Sequence, residues 1–181
     1  MNNSFILLVG RSGSGKSTIA NYLASDYGMR VIDSYTTRKP RFKDESGHRF
    51  VTDEEFDALE TLVAFTKFDG AKYGATTQQV EEADLYVIDI SGVEYFKEHY
   101  TGSKTIKVVY LAAQPSTVFN RMLDRGVSMK DITKRMDNDR VAFAATKVAD
   151  MEDLYPSISL SAILDKKYIT EKMMRFFRKE L

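Results

Sequence analysis

Short apolar runs alternate with helical patterns along most of the chain. Runs of the length of a buried strand fall at residues 5–9, 29–32, 62–65, 85–90 and 106–111. Apolar positions at helical spacing predict helices over residues 18–27, 53–59, 77–83, 93–100 and 116–125. Strands interleaved with helices indicate an α/β fold of three layers, in which helices cover both faces of a mainly parallel, five-stranded sheet.

Two regions interrupt this alternation. Residues 34 to about 74 are rich in Thr, Arg, Lys and aromatic side chains and have weak strand signals, which favours an insertion after the second strand. Residues 126–147 are polar and helical, and favour a solvated, mobile helix pair outside the core. Near the end, residues 158–164 are a candidate last strand. Residues 169–181 predict a closing amphipathic helix whose inward side chains are Met173, Met174, Phe176 and Phe177.

The composition is that of an ordinary globular domain. Of the 181 residues, 43% are hydrophobic and 29% are charged, and 26 basic residues balance 26 acidic ones. This balance gives no support to a role on nucleic acid or on a membrane surface. Because the chain has no cysteine, disulfides, thiolate metal sites and a cysteine nucleophile are excluded. No apolar run reaches the ~18 residues of a membrane span, and we expect a cytoplasmic protein.

A glycine-rich segment at residues 10–17, GRSGSGKS, carries the first candidate chemistry. It fits the P-loop pattern G-x-x-x-x-G-K-[S/T] and lies between a predicted strand and a predicted helix, which disfavours an ordinary glycine-rich turn. Its glycines and exposed N–H groups can cradle phosphate. Lys16 can neutralise the β- and γ-phosphate oxygens, and Ser17 can ligate Mg²⁺. The predicted nucleotide contacts are Gly10, Ser12, Gly13, Ser14, Gly15, Lys16, Ser17 and Thr18.

A second segment at residues 34–41, SYTTRKPR, holds two arginines that flank a proline. Arg38 and Arg41 offer planar donors suited to phosphate, and Pro40 stiffens the loop between them. Taken alone, such a loop is best read as a solvated basic turn. Here it follows the P-loop and the second predicted strand, where the site for a phosphate acceptor would lie.

These two segments, together with later ones, resemble the guanylate kinase family of nucleoside monophosphate kinases. Residues 34–41 match the family pattern Ser-x-Thr-Thr-Arg-x-Pro-Arg at every specified position. The other similar segments are residues 47–56, 72–76, 87–90, 121–125 and 132–136. The resemblance implies transfer of the ATP γ-phosphoryl group to a nucleoside monophosphate, with Mg²⁺ bound with the ATP. It implies a monomer or homodimer whose partners are these small molecules, with no nucleic acid and no membrane.

The resemblance also implies roles for individual residues. It assigns catalysis to Lys16, Arg38, Arg125 and Arg135, and it places Arg121 on ATP. The implied acceptor contacts are Ser34, Arg38, Arg41, His48, Tyr73, Ala75 and Asp89, and the implied metal ligands are Ser17 and Asp89. The implied organisation is one P-loop kinase domain, with an acceptor-binding part at 34–84, a lid at 126–147, and a core formed by 1–33, 85–125 and 148–181. Each lid arginine, taken singly, is equally well explained as a surface ion pair.

The sequence departs from the family where the base would be read. Ala64 replaces a glutamate that pairs with guanine, Ala75 replaces a Ser or Thr, and Ser91 replaces an aspartate. His48 replaces a tyrosine, and is either a phosphate contact or an exposed loop histidine. We therefore expect that the acceptor base need not be guanine, and Thr66, Asp69 and Thr77 are candidates for reading another one. Two alternatives stay open: a catalytically silent binding module, and a P-loop kinase for another phosphorylated small molecule, such as a sugar.

Overall fold

A computed structural model describes residues 3–40, 42–68 and 70–178 of the chain. The strands are β1 (Ser4–Val9), β2 (Ser34–Thr36), β3 (His48–Phe50), β4 (Leu62–Phe68), β5 (Ala71–Thr76), β6 (Leu85–Val87), β7 (Thr105–Ala112) and β8 (Ser157–Ser161). The helices are α1 (Lys16–Tyr27), α2 (Asp53–Asp57), α3 (Thr77–Glu82), α4 (Ile90–His99), α5 (Pro115–Asp124), α6 (Met129–Ala142), α7 (Ala145–Leu154) and α8 (Lys166–Arg178).

The core sheet has the order β6-β1-β7-β8, and its strands are parallel. Every residue of β1 is buried, because this central strand is covered on both faces; such a strand needs a continuous apolar run. Beside the four strands of this sheet, Val31 forms a single parallel bridge to Leu85 at the edge strand β6. The prediction of a mainly parallel α/β fold is confirmed. The apolar run at residues 29–32, however, forms only this one bridge instead of a full strand.

The strand predicted at residues 85–90 is longer than the strand that the structure forms there. The strand β6 ends at Val87 and α4 already begins at Ile90. The reason is Asp89, whose carboxylate accepts the backbone N–H of Gly92 at 2.7 Å and caps the helix. An apolar run therefore continues across a strand end, a cap and a helix start.

Helices cover the core sheet on both faces. On one face, Ile6 and Leu8 of β1 belong to a cluster with α1 and α8, where Met173, Met174 and Phe177 are buried as predicted and Phe176 is partly buried. On the other face, Phe5, Leu7 and Val9 belong to a cluster that includes Phe96 of α4. This division follows from the two-residue period of a strand.

The region predicted as a solvated helix pair forms α6 and α7, but it is not wholly outside the core. Ile132 is fully buried against Val118 and Met122 of α5. Phe143 and Met151 belong to the main cluster on the α4 face of the sheet. The expectation of a pair outside the core is therefore wrong at Ile132 and Phe143, because the mean polarity of the segment hides these single apolar positions. Met151 lies beyond the predicted segment, in the part of α7 that follows residue 147.

A second sheet has the order β3-β2-β5-β4 and lies wholly within residues 34–76. Its strands are antiparallel except for the parallel pair β2 and β3. The ring of Phe65 lies 6.2 Å from the ring of Tyr95, so β4 packs against α4 of the core. The sheet falls in the segment expected to bind the acceptor, and that role stays a prediction at this point.

Candidate active site

The P-loop folds as its glycines require. Gly13 and Gly15 have φ values of 73° and 102°, in the left-handed region that favours glycine. A Cβ on Gly10 would lie 2.8 Å from the Leu111 carbonyl oxygen, so the loop turns in close contact with β7. Gly15 gives α1 no side-chain cap, and the first N–H groups of this helix are left for a ligand.

Lys16 is held by the same loop. Its ammonium donates to the carbonyl oxygens of Gly10 at 2.6 Å and Arg11 at 3.0 Å. Burial lowers the pKa of Lys16 to about 8, while the carboxylates of Asp139 and Asp89 oppose this shift. An ammonium has three protons, so the group is oriented by two bonds and can still donate toward a ligand.

Asp89 and Ser17 are the oxygen donors predicted to hold a metal ion. Asp89 Oδ1 accepts both the Gly92 N–H and the Ser91 hydroxyl at 2.9 Å, so the carboxylate is held in one orientation. Ser17 is exposed in the first turn of α1, next to Lys16 in sequence. A hydroxyl and a carboxylate are hard oxygen ligands of the kind that Mg²⁺ takes together with nucleotide phosphates, so this donor set fits that ion.

The second sheet gathers the predicted acceptor residues. Ser34 lies opposite His48 in the pairing of β2 with β3, and its hydroxyl is 2.8 Å from His48 Nδ1. The His48 ring lies 5.8 Å from the ring of Tyr73. Tyr73 belongs to β5 and pairs with Thr36 of the neighbouring strand β2. His48 is thus half-buried within a polar cluster, which favours a site role over an exposed loop histidine.

Arg38 lies beside this cluster and is already paired. Its Nη1 and Nη2 donate to the two carboxylate oxygens of Glu45 at 3.1 and 2.9 Å. The guanidinium carbon also lies 5.3 Å from the centre of the Phe50 ring. The pairing with Glu45, followed by a smaller contribution from Tyr73, raises the pKa of Arg38 above its usual range. Glu45 thus holds the guanidinium in a bidentate ion pair.

A cavity of about 540 Å³ joins the two groups of residues. Lys16, Ser12 and Asp89 line it from the P-loop and α4. Its lining from the second sheet consists of Ser34, His48, Ala64, Phe65, Thr66 and Tyr73. Residues predicted for the donor side and residues predicted for the acceptor side therefore line one continuous space.

A smaller cavity of about 190 Å³ is also lined by the P-loop, through Ser14 and Gly15, with Thr18 of α1. Arg121 of α5 and Arg125, which caps the C-terminal end of that helix, line it as well. Arg121 donates to the carbonyl oxygens of Ser14 at 2.9 Å and Ala162 at 2.7 Å, and so joins the P-loop to the segment after β8. These two predicted arginines therefore adjoin the donor loop without lining the larger cavity.

Other predicted site residues lie elsewhere. Ala75 is fully buried in the core, and Arg135 is half-buried on α6; neither is among the described residues that line the two cavities. Thr77 donates to the Thr61 carbonyl oxygen at the start of α3. Arg41 and Asp69 lie outside the residues that the structure describes.

Several residues of the large cavity were not predicted. Tyr86 is the middle residue of β6, where burial raises its pKa and the Ser34 hydroxyl hydrogen-bonds with it. Glu94 comes from α4, and Asn138, Asp139 and Lys147 come from the helices α6 and α7. The available signal was the spacing of Asp139, one helical turn after Arg135, but spacing alone cannot indicate which face of a polar helix meets the P-loop.

Comparison with known proteins agrees with this geometry. The family described as "AAA domain" matches residues 6–143. A guanylate kinase of Helicobacter pylori is 32% identical over 154 residues, which are 76% of this chain and 73% of the relative. The ribose 1,5-bisphosphate phosphokinase PhnN of Agrobacterium fabrum is 33% identical over 150 residues, covering 77% and 81%. A crystal structure of guanylate kinase from Anaplasma phagocytophilum has the same fold, with a TM-score of 0.58 at 21% identity and coverage of 97% and 86%.

The fold and the glycine-rich loop define a P-loop protein with an AAA-type nucleotide-binding domain. Within that class, the chain belongs to the guanylate kinase-like family. It is therefore a P-loop phosphotransferase of the guanylate kinase type, an ATP-dependent kinase. Within the described part of the chain, no helix is both long and apolar enough to cross a membrane.

Proposed function

We propose that this protein transfers the γ-phosphoryl group of ATP to the phosphate of a nucleoside monophosphate, ribo or deoxy. The observation that carries the proposal is the large cavity, which Lys16 enters from the P-loop and Ser34, His48 and Tyr73 enter from the second sheet. A group bound by the sheet residues and a triphosphate bound by the loop would face each other across this space. Positioning of this kind is most of what catalysis of phosphoryl transfer requires.

The donor half would work through charge and position. The unpaired N–H groups at the start of α1 would bind phosphate oxygens, and Lys16 would neutralise charge on the transferring group. Mg²⁺, held by Ser17 and Asp89, would supply further positive charge at the phosphates. The small cavity beside Arg121 and Arg125 is the proposed place of the donor's base, because it adjoins the P-loop and shares no lining residue with the cavity that the proposed acceptor residues line.

The acceptor half would work by exchange of partners. Arg38 leaves Glu45 when an acceptor phosphate offers two oxygens in the same bidentate geometry. Tyr73 and His48 would hold the same phosphate from the neighbouring strands, and Arg41, on the strength of its sequence motif, would join them. Water exclusion by the lid, including Arg135, would protect ATP from hydrolysis.

The wall of the cavity beyond the phosphate residues supports an acceptor whose base is not guanine. Ala64 lines this wall with a methyl group and cannot pair with base N–H groups. Thr66, two residues further along β4, offers one hydroxyl on the same side of the strand. A phosphorylated sugar is the second candidate acceptor, because Ala64 leaves the β4 wall without a base-reading carboxylate, which suits a ligand without a base, and PhnN is among the relatives.

A panel of acceptors tests the proposal. ADP release from ATP is measured with each ribo- and deoxyribonucleoside monophosphate, with ribose 1,5-bisphosphate, and without acceptor. We expect turnover with at least one monophosphate, and a kcat lower by orders of magnitude in Lys16→Ala, because a charge at the transferring group is lost. Turnover with the sugar alone would select the second candidate. ATP binding without turnover of any acceptor would contradict the proposal and favour a catalytically silent binding module.

A further inference from the structure

The helix α6 contacts the P-loop at two points near its C-terminal end. The Asp139 carboxylate accepts the backbone N–H of Ser12 at 2.8 Å, and the Ser12 hydroxyl lies 3.4 Å from its other oxygen. One turn later, the Arg11 guanidinium donates to the Phe143 carbonyl oxygen at 3.3 Å. Arg11 and Ser12 occupy positions that the P-loop pattern leaves unspecified, so phosphate binding does not dictate these side chains.

Each contact suits its place on the helix. A carboxylate is attracted to the exposed N–H groups of a loop built to bind anions. A guanidinium at the last carbonyl groups of a helix is favoured by the helix dipole. Between Ile132 and Phe143 no residue of α6 is fully buried, and only Met136 and Ala142 pack in part against the apolar clusters, so apolar packing secures this stretch weakly. The two polar contacts add to this partial packing and join the C-terminal half of α6 directly to the P-loop.

The position of α6 matters to the site because the helix forms part of the wall of the large cavity. Asn138, Asp139 and Ala142 line the cavity together with Lys16. If this part of α6 moved away from Ser12, the space around Lys16 would open to solvent. A phosphotransferase must prevent this, since water competes with the acceptor for the phosphoryl group.

We propose that Asp139 is a positioning residue, which docks α6 on the Ser12 N–H group and thereby keeps water out of the site during transfer. The inference rests on the proposed phosphotransferase activity. Arg135, one turn before Asp139, shares this face of the helix and is positioned by the same contact. Asp139 acts through the helix and is assigned no contact with either substrate.

The test compares substitutions on one helix. Asp139→Ala removes the acceptor of the Ser12 N–H bond, and we expect kcat for transfer to fall about tenfold or more. Hydrolysis of ATP without acceptor should rise about threefold or more. Backbone amides of residues 135–143 should exchange faster with deuterium, while ATP affinity is not weakened. Asp139→Asn keeps an oxygen that can accept the bond and should stay within about threefold of the wild-type rates.

Two further variants keep the test decisive. Asp137→Ala, an exposed carboxylate on the same helix, is the matched control and should behave as wild type. Arg11→Ala removes the second contact and should reproduce the rise in hydrolysis, even if Asp139→Ala fails to fold. Exchange and hydrolysis in Asp139→Ala equal to those of Asp137→Ala would overturn the inference. So would an Asp139→Asn variant as impaired as Asp139→Ala, because charge and not docking would then be the cause.

Failure of the proposed function gives a different result. If the wild type phosphorylates none of the acceptors, transfer cannot be measured. Hydrolysis of ATP and deuterium exchange of α6 need no acceptor, and they still decide whether Asp139 docks the helix.

Discussion

Lys16 balances two opposed influences on its charge. Its ammonium is taken out of water between loop carbonyl oxygens, which disfavours the charged form, and two carboxylates restore part of the loss. The result is a pKa of about 8, well below that of a lysine in water. A lysine in this state is sensitive to the arrival of further negative charge.

Nucleotide binding should therefore take up protons at pH 8. The phosphates bring negative charge to Lys16, which raises its pKa, so a side chain that is about half protonated when free becomes fully protonated. We expect an uptake of about half a proton per nucleotide, measured by calorimetry in buffers of different ionisation enthalpy. Lys16→Met should abolish the uptake. An equal uptake by this variant would show that another group titrates.

The residues of the donor loop could be predicted because their chemistry is local. Glycines, Lys16 and Ser17 stand at set spacings within eight residues, and the loop needs no distant partner to form its pattern. Tyr86 and Asp139 could not be predicted as site residues. Their roles depend on where a strand ends and on which helix face meets the P-loop, and these are properties of the tertiary fold.

Among the elements, β5 packs closely against its neighbours at Gly74. A Cβ on Gly74 would lie 2.9 Å from the Ala64 carbonyl oxygen on β4 and 2.9 Å from the Phe56 ring of α2. Gly74 also pairs with Tyr35 across the sheet, so the backbone is held on both sides. The glycine therefore lets α2 and two strands approach each other closely.

Gly74→Ala should destabilise the protein by about 1–3 kcal/mol, because a backbone oxygen on the neighbouring strand cannot move aside easily. The measurement is urea unfolding followed by circular dichroism. Phe56→Leu shortens the side chain that the new methyl group meets, so the double variant should lose less than the sum of the single losses. Simple additivity would show that the clash does not involve the Phe56 ring.

Helices and strands were predicted correctly where the hydrophobic pattern extends over many residues, and incorrectly where an element ends. The helix α8 and the strand β7 follow from their patterns, although β7 contains the fully buried Lys107. Its ammonium donates to the carbonyl oxygens of Phe176 and Phe177 at the end of α8, a compensation that the strand pattern cannot show. The strand β6 ends early because Asp89 caps the helix α4, and the apolar pattern of residues 85–90 cannot show this cap either.

In the whole molecule, β1 lies between β6 and β7 and is buried along its length, while β3 is an edge strand of the second sheet. The interior strand can lose its hydrogen bonds only when the core sheet separates. The edge strand has three residues, none of them buried, and one neighbouring strand. Opening of β3 therefore requires far less free energy than opening of β1.

Native-state hydrogen exchange should reflect this difference. We expect amides of β1 to exchange only through global unfolding, and those of β3 at least about 100-fold faster, through local opening. Mass spectrometry of peptides covering residues 4–9 and 48–50 measures both rates. Similar protection of the two strands would mean that the sheets unfold as one unit.

The order of the core sheet also bears on synthesis of the chain at the ribosome. The strand β1 is translated well before its two neighbours, which are made from residues 85–87 and 105–112. Until residue 112 has left the exit tunnel, this apolar strand has no complete sheet to join and stays open to chaperones or to aggregation. The glycine-rich loop that follows β1 should therefore become ordered only after residues 105–112 have been made.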